Sequence, residues 1–394
     1  MALIVMSCSK DETTMSIPQE SNAIEFGTYV GRDAQTRATI TNIGALQATD
    51  VGFGVFAHYT KTTAYGTPET TPNFMYNQQV KYASSKWGYT PIKYWPNNTG
   101  DLVSFFAYGP HSSIANSNIS DFAPTSTNTG DPTLKFTVVE NVKNQTDLVW
   151  GVNESTGFPF LDQTKQTVTG DIKFTFKHAL ARIGFNVEAM VDLVNDEGTG
   201  TPDDGTTGNG TIDENTKIVV TKVELIGNFY ASGALNLNNT TANVPSWTGA
   251  PGAPIERTFT LNAGADATAS NFNGPTSVGL VTGGETFGKN VTNAKATLNA
   301  TDSYIMVIPQ ISVPVKIRVT YDVITKDDKL NTQQSKVTNV ITSDRFDFTF
   351  AAGKAYSFNL HLGMTSVKFD ADVSPWEAVG TGTVVNVPIN TTAP

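Results

Sequence analysis

The stretch Val315-Lys316-Ile317-Arg318-Val319-Thr320-Tyr321-Asp322-Val323 alternates apolar and polar side chains with almost no fault. A period of two sends successive side chains to opposite faces of a β-strand. The same alternation returns at residues 346–350 and 356–362, with Gly353-Lys354 as a turn between them. This part of the chain therefore predicts strands that pair as antiparallel hairpins.

Further short strand patterns occur on both sides of this stretch. They are separated by segments rich in Thr, Asn and Gly, and no run has a convincing helical period. Residues 60–80 and 236–254 have a loop-like composition, and we expect surface loops there. Many short strands with long polar loops predict an all-β fold of antiparallel β-sandwiches. The other expected strands are 51–57, 102–108, 134–138, 148–150, 172–176, 179–187, 218–226, 259–261, 303–309 and 367–373.

The length predicts more than one domain. At 394 residues the chain exceeds what one hydrophobic core usually fills. A Gly/Thr-rich segment, 162–170, precedes the two apolar stretches that begin at Ile172. We therefore expect an N-terminal domain over 38–170 and a C-terminal domain over 171–394.

The composition excludes several classes of function. The chain has 36 acidic and 26 basic residues, a formal net charge of −10, which argues against nucleic-acid binding. The single cysteine, Cys8, precludes a disulfide within the chain and thiol catalysis in the folded part. The four histidines are scattered, and no phosphate-binding loop or nucleophile–base arrangement is present. No apolar run reaches the ~20 residues that span a bilayer. We expect no enzymatic activity and no cofactor.

An acidic insertion at 195–215 is the one candidate metal site. It offers hard oxygen ligands at short spacing, as calcium prefers, but it does not fit the EF-hand register. A solvated loop is the favoured interpretation, so no metal is expected and calcium remains the alternative. The candidate ligands are Asp203, Asp204, Asn209, Asp213 and Glu214.

An aromatic cluster follows residue 86. Its members Trp87, Tyr89, Tyr94 and Trp95 could stack on a sugar. Their alternation with Lys, Pro and Gly favours a packed sheet face instead.

The first residues are similar to the end of a bacterial lipoprotein leader. Val5-Met6-Ser7-Cys8 resembles a lipobox, in which the cysteine is acylated and becomes the mature N-terminus, and Ser9-Lys10-Asp11-Glu12 follows it. The apolar part before Cys8 is short and carries no basic residue, so the leader is expected to be truncated. Several acyl chains on Cys8 would anchor the chain stably to a membrane.

A short strand and an exposed loop come next. Ile24, Phe26 and Thr28 alternate with other residues as in a strand. The loop 31–37, which contains Arg32 and Arg37, has no apolar anchor, and proteases cut in loops of this kind. At the other end of the chain the tail repeats an apolar alternation, with Val385, Val387 and Ile389 on one face.

These features together resemble the fimbrillin family of Bacteroidales, the subunits of type V pili and their Mfa-like relatives. The order and spacing of the motifs carry the resemblance, which extends through most of the chain. Besides the lipobox, the motifs are Thr36-Arg37-Ala38, Gly52-Phe53-Gly54-Val55-Phe56-Ala57, Pro91-Ile92-Lys93-Tyr94-Trp95-Pro96, Phe105-Phe106-Ala107-Tyr108, Phe176-Lys177-His178-Ala179-Leu180-Ala181-Arg182-Ile183, Gly353-Lys354-Ala355-Tyr356-Ser357-Phe358 and Val373-Ser374-Pro375-Trp376.

The resemblance implies a fold and an assembly pathway. The fold would be two transthyretin-like antiparallel β-sandwiches in tandem. The chain would be exported as a lipoprotein anchored at Cys8 in the outer membrane. An Arg-specific surface protease would cut after Arg37, or alternatively after Arg32, and remove residues 1–37. Loss of Ile24, Phe26 and Thr28 would open a groove for a donor strand, about 377–394, of another copy or a related pilin. The product would be a head-to-tail extracellular pilus that supports adhesion to an unidentified surface ligand. The alternative is a surface-anchored glycan- or ligand-binding lipoprotein that does not polymerise.

Overall fold

The alternating stretch around Ile317 lies inside a long strand, Gln310–Lys326, whose inward side chains are buried one after another. This computed structural model describes residues 22–28, 43–66, 69–115, 117–165, 167–168, 170–189, 216–248, 253–262, 295–297, 304–362, 367–375 and 383–385.

The described residues are almost entirely strands and loops. In the N-terminal half the strands are β1 (Phe26–Thr28), β2 (Phe53–Lys61), β3 (Met75–Ala83), β4 (Lys86–Gly88), β5 (Leu102–Gly109), β6 (Ile119–Ala123), β7 (Thr133–Thr137), β8 (Val149–Val152), β9 (Phe160–Gln163), β10 (Ile172–His178) and β11 (Ala181–Ala189). In the C-terminal half they are β12 (Thr216–Phe229), β13 (Ser232–Thr241), β14 (Val244–Thr248), β15 (Ile255–Asn262), β16 (Lys295–Thr297), β17 (Ile305–Val307), β18 (Gln310–Lys326), β19 (Gln334–Thr342), β20 (Phe346–Phe350), β21 (Lys354–Leu362), β22 (Val367–Pro375) and β23 (Thr383–Val385).

Helical structure in the described ranges is limited to two short elements. They are the α-helix α1 (Ile43–Leu46) and a single 3₁₀ turn, Val142–Asn144. The expected all-β class is therefore confirmed. No helix in the described part of the chain has the length and apolar character that a membrane crossing requires.

Four sheets are formed by the described strands. The first sheet has the order β1-β10-β8-β5-β2-β3-β4, with β9 on β5, and the second has the order β16-β11-β21-β22-β23, with β17 on β11. The third runs β15-β12-β18-β19, with β20 on β18, and the fourth runs β14-β13-β7-β6. The pairs β1–β10 and β11–β21 are parallel, and the remaining pairs of described strands are antiparallel.

Two segments that we expected to be loops contain strands. Residues 60–80 include much of β3, and residues 236–254 include most of β13 and all of β14. In β13 buried Leu235 and Leu237 alternate with half-buried Asn236 and Asn238, so the period of two was present. The loop expectation, which rests on the Asn and Thr content, was wrong because Leu235 and Leu237 are buried in the core and Asn236 and Asn238 lie on the other face of β13.

The first sheet is buried on both faces. Along β2, Val55 and Ala57 belong to one cluster of buried side chains, the small core, whereas Phe56 belongs to a larger cluster, the main core. The main core extends from this sheet into the strands of the C-terminal half. The small core consists of Ile24, Phe26, Phe53, Val55, Ala57, Met75, Val80, Trp95, Val103, Phe105, Ala107, Ile172 and Phe174.

The chain passes from the first sheet to the second after β10. Strand β10 pairs with β8, and Ala179 and Leu180 connect it to β11. This crossover is held by Trp247, whose indole N–H donates to the Ala179 carbonyl at 2.9 Å, and by the amide of Gly353, which donates to the Leu180 carbonyl at 2.9 Å. The expected domain division between residues 170 and 171 lies just before β10 and stays a prediction.

Candidate functional site: a groove that holds the N-terminal strand

Residues 22–28, called here the N-terminal strand, lie between two other segments of the chain. On one side β1 runs parallel to β10, with Phe26 opposite Ile172 and Thr28 opposite Phe174. The amide of Ile172 donates to the carbonyl of Glu25 at 2.9 Å. These contacts place the N-terminal strand at the end of the first sheet.

On its other side the N-terminal strand contacts residues 87–95, called here the clasp. Ala23 forms an antiparallel bridge with Tyr94. The amide of Ile24 donates to the carbonyl of Lys93 at 2.9 Å, and the amide of Trp95 donates to the carbonyl of Asn22 at 2.9 Å. The N-terminal strand is therefore hydrogen-bonded along both edges.

The ring of Phe26 is enclosed by four aromatic rings. It is 4% exposed and lies 5.3 Å from Tyr89, 5.9 Å from Phe105, 6.2 Å from Phe174 and 6.5 Å from Phe53, centroid to centroid. Burial of a phenylalanine contributes about 1.5–3 kcal/mol, and each aromatic pair adds about 0.5–1.5 kcal/mol. Phe26 is the main apolar anchor of the N-terminal strand.

Two side chains of the clasp also bond to the N-terminal strand. The Tyr89 hydroxyl donates to the carbonyl of Ile24 at 2.8 Å, and the indole N–H of Trp87 donates to Oγ1 of Thr28 at 3.1 Å. Burial raises the pKa of the Tyr89 hydroxyl, so that group stays protonated and able to donate at neutral pH.

The bond between Trp87 and Thr28 also joins the two ends of the first sheet. Trp87 lies on β4 and Thr28 on β1, the first and last strands in the pairing order. The first sheet therefore curves until its ends meet beside the small core. The N-terminal strand closes the opening between β10 and the clasp, and we call that opening the acceptor groove.

The acceptor groove is suited to binding a strand. Without the N-terminal strand, β10 and the clasp would have unpaired backbone groups, and Phe53, Phe105 and Phe174 would lose their covering ring. Unpaired strand edges beside apolar surface are a template for another extended segment.

The sequence located part of this site. The expected alternation at Ile24, Phe26 and Thr28 corresponds to two buried side chains and a half-buried one that bonds to Trp87. Sequence reasoning missed Ile172 and Phe174 as the partners of β1. Their alternation predicts a strand beside a domain junction, but nothing local specifies the partner of a strand.

Three of the four aromatic residues that we considered as a sugar platform pack inside the protein. Trp95 is 5% exposed with its ring 5.8 Å from Phe105, and Trp87 and Tyr89 contact Phe53 and Phe26. Tyr94 is 61% exposed. This arrangement favours the packed sheet face over the sugar platform.

Most of the other residues with an expected role lie outside the described part of the chain. Val385 is described only as the last residue of β23, where it pairs with Ala371 on β22. No group of three or more potential metal-ligating side chains occurs among the described residues. The expected residues outside the described ranges are Cys8, Arg32, Arg37, Asp203, Asp204, Asn209, Asp213, Glu214, Val387 and Ile389.

The fold and the site define an all-β protein whose first sheet is closed by its own N-terminal segment. The family model for fimbrillin-like proteins matches residues 36–376, so the chain belongs to the fimbrillin-like family.

Two relatives are informative. Fimbrium subunit Fim1C from Phocaeicola vulgatus is 32% identical over 197 residues, which is 48% of this chain and 50% of that protein. The match thus spans about half the length of this curated relative. A crystal structure of a fimbrial protein from Bacteroides vulgatus is 22% identical, covers 90% of this chain and 99% of that chain, and superimposes with a TM-score of 0.62. This likeness confirms the fold.

Proposed function

We propose that this protein is a non-enzymatic structural subunit of a cell-surface pilus that polymerises by exchange of strands. The observation that carries the proposal is the N-terminal strand, which fills an apolar groove and is hydrogen-bonded on both edges. Membership of the fimbrillin-like family supports the same role, as does the likeness to Fim1C, a fimbrium subunit.

The proposed pathway begins at the outer membrane. Cys8 carries the lipid anchor, and an Arg-specific surface protease cuts after Arg37, with Arg32 as the alternative. The matched span of the family model begins at residue 36, beyond the N-terminal strand. The cut removes residues 1–37 and leaves the acceptor groove free to accept another strand. The mature subunit then belongs to the extracellular pilus, where it supports adhesion.

The incoming strand is the tail, about 377–394, of another copy or a related pilin. Val385, Val387 and Ile389 alternate as Ile24 and Phe26 do, so a tail can direct apolar side chains into the acceptor groove. Such a contact joins two different surfaces and does not close on itself, so it produces a filament. Two tandem transthyretin-like sandwiches, 38–170 and 171–394, are the subunit architecture that goes with this assembly.

The test is controlled cleavage of the purified chain. An Arg-specific protease is added, the new N-terminus is sequenced, and unboiled samples are examined by gel electrophoresis. We expect an N-terminus at Ala38 and a ladder of oligomers. Arg37→Ala is expected to block both, and Arg32→Ala is the matched control. A chain truncated after Trp376 should be cut and remain monomeric. If that truncated chain polymerises, the tail is not the donor.

A further inference from the structure

The acceptor groove has features that distinguish one strand from another. We propose that it is a selective peptide-binding site for an extended segment that runs parallel to β10. Five consecutive residues of that segment are recognised: an apolar residue, any residue, an aromatic residue, a small residue, and Ser or Thr. This inference deepens the proposed function and rests on it in one respect, namely that the N-terminal strand can be exchanged.

The hydroxyl requirement comes from Trp87. The indole N–H is a donor only, so the side chain opposite it must supply an acceptor. The Trp87 ring is held by Phe53 at 4.9 Å and Tyr82 at 5.2 Å, both nearly edge-on, so the direction of its N–H is set before a strand arrives. Thr28 satisfies this donor at 3.1 Å, and valine, which has the same shape, would not.

The small residue is required opposite β10. Gly27 pairs with Lys173, and a Cβ atom at Gly27 would lie 3.1 Å from Cγ of Lys173 and 3.2 Å from Oδ2 of Asp171. These distances are tighter than ordinary packing. An alanine would require a small shift of two side chains, whereas a branched side chain would have to displace them.

The register is fixed by bonds on both sides. Backbone groups of Asn22, Ile24 and Glu25 pair with the clasp or with β10, and the Tyr89 hydroxyl adds a bond to the Ile24 carbonyl. Because side chains alternate between faces, a slip of one residue would turn Phe26 away from its aromatic enclosure. The order of the recognised positions is therefore specified together with their chemistry.

This selectivity makes the N-terminal strand a built-in competitor. The tail, about 377–394, contains no aromatic residue, although Gly380-Thr381 supplies a glycine followed by a threonine. Valine in the enclosure of Phe26 would leave unfilled space, which weakens binding. The acceptor groove therefore binds its own strand more tightly than an aliphatic donor at equal concentration.

The test uses the full chain with a site for a sequence-specific protease inserted between residues 33 and 34. The chain is cut while folded, and a labelled peptide of residues 22–28 is exchanged into the acceptor groove. Unlabelled peptides of the same residues compete with it for the groove, and each has one substitution: Thr28→Val, Thr28→Ser, Gly27→Val or Phe26→Ala. We expect Thr28→Ser to compete like the native peptide and Thr28→Val to be about tenfold weaker, as for loss of a hydrogen bond to a partly buried donor. Gly27→Val should be weaker than the native peptide, and Phe26→Ala should be at least about a hundredfold weaker.

The decisive comparison is made on Trp87→Phe protein. The native and Thr28→Val peptides should bind to this variant equally, because phenylalanine lacks the indole N–H that donates to Thr28. Trp247→Phe, which removes an indole donor outside the acceptor groove, is the matched control and should keep the tenfold preference.

Equal binding of the native and Thr28→Val peptides to the unmodified groove would overturn the proposal. So would a preference that persists in Trp87→Phe, or a cut strand that excess native peptide never displaces. Because the inserted protease site replaces cleavage at Arg37, failure of the Arg-specific cut would count against the pilus pathway alone.

Discussion

The ring of Phe26 stacks on the ring of Phe174, with centroids 6.2 Å apart and planes inclined by 19°. The two residues are almost 150 positions apart in sequence, and their contact joins the N-terminal strand to β10 across the small core.

Phe26→Ala should detach the N-terminal strand without unfolding the main core. Truncation of a buried phenylalanine costs about 3–5 kcal/mol, and a strand at the end of a sheet can leave before the sheet unfolds. Hydrogen exchange is the measurement. The amides of Ile24, Trp95 and Ile172, which bond across the two edges of the strand, should exchange roughly a hundredfold faster or more.

Ile311→Ala is the matched control, since Ile311 is 86% exposed. It should leave exchange at these three amides unchanged. Unaltered protection in Phe26→Ala would mean that the backbone bonds alone hold the N-terminal strand.

Gly54→Ala should destabilise the first sheet strongly. Gly54 lies opposite Tyr108 in the β2–β5 ladder, and a Cβ atom there would overlap the Tyr108 ring. That ring is fully buried and its hydroxyl donates to Oδ1 of Asn77 at 2.6 Å, so it has no free space to move into. We expect the free energy of unfolding, measured by urea denaturation, to fall by about 1–3 kcal/mol or more. Gly88→Ala is the control because a Cβ atom there has no neighbour within 4 Å. Equal stabilities of the two variants would contradict the packing argument.

The stability of the protein should decrease in mild acid because of His58. This side chain is buried, and burial lowers its pKa from 6.5 to about 4, although Asp131 opposes the shift. Between these two values the unfolded chain binds a proton that the folded chain does not. Above pH 6.5 His58 is neutral in both states and does not lower the free energy of unfolding. As the pH falls from 6.5 toward 4, the free energy of unfolding decreases by up to about 1.4 kcal/mol per pH unit because of this group.

His58→Gln should flatten this part of the profile. Urea denaturation of both proteins at intervals from pH 7.5 to about 4 gives the free energy of unfolding of each. Subtracting one profile from the other cancels the effect of the carboxylates that both proteins share. Parallel profiles would show that the proton uptake belongs to another group.

Glu224→Gln should weaken the third sheet. Glu224 lies opposite Arg318 in the β12–β18 ladder and accepts bonds from Nε at 2.6 Å and Nη2 at 2.8 Å. The Arg318 bonds hold the pKa of Glu224 below its ordinary value, so this stability is present at neutral pH and is lost as the pH falls through the lowered pKa. Since Arg318 is partly exposed, we expect a loss of about 1–2 kcal/mol in the free energy of unfolding at pH 7.

Asp328→Asn is the control for this pair. Asp328 is exposed and lies 3.8 Å from Lys326, so its loss should be close to neutral. If Glu224→Gln is as mild as Asp328→Asn, the paired carboxylate contributes no more than a surface charge.

Much of the candidate site could be predicted from local pattern. The alternation of Ile24, Phe26 and Thr28 indicated a short strand with an apolar face, and β1 carries that face. The alternation of Trp87 and Tyr89 with Lys, Pro and Gly favoured a packed sheet face, and the two rings pack against Phe53 and Phe26. Which residues cover them could not be predicted, because composition does not specify what covers a ring.

The strands that were missed have a physical explanation as well. In β3, Asn77 and Gln79 use their side chains to bond Ser112 and the carbonyls of Asp50 and Val51, so polar residues occupy a strand without breaking it. These partners lie about 30 positions away in the chain and leave no signal at β3 itself.

The sequence by itself determined the all-β class, most of the strands and the presence of a short apolar strand before residue 30. These are local properties, set by side-chain alternation over a few residues. Only the tertiary structure decided that β1 runs parallel to β10 and that the clasp closes over it. Strand partners are chosen by contacts between distant parts of the chain, and any apolar alternating segment could occupy the same edge until Phe53, Phe105 and Phe174 assemble the enclosure that Phe26 fills.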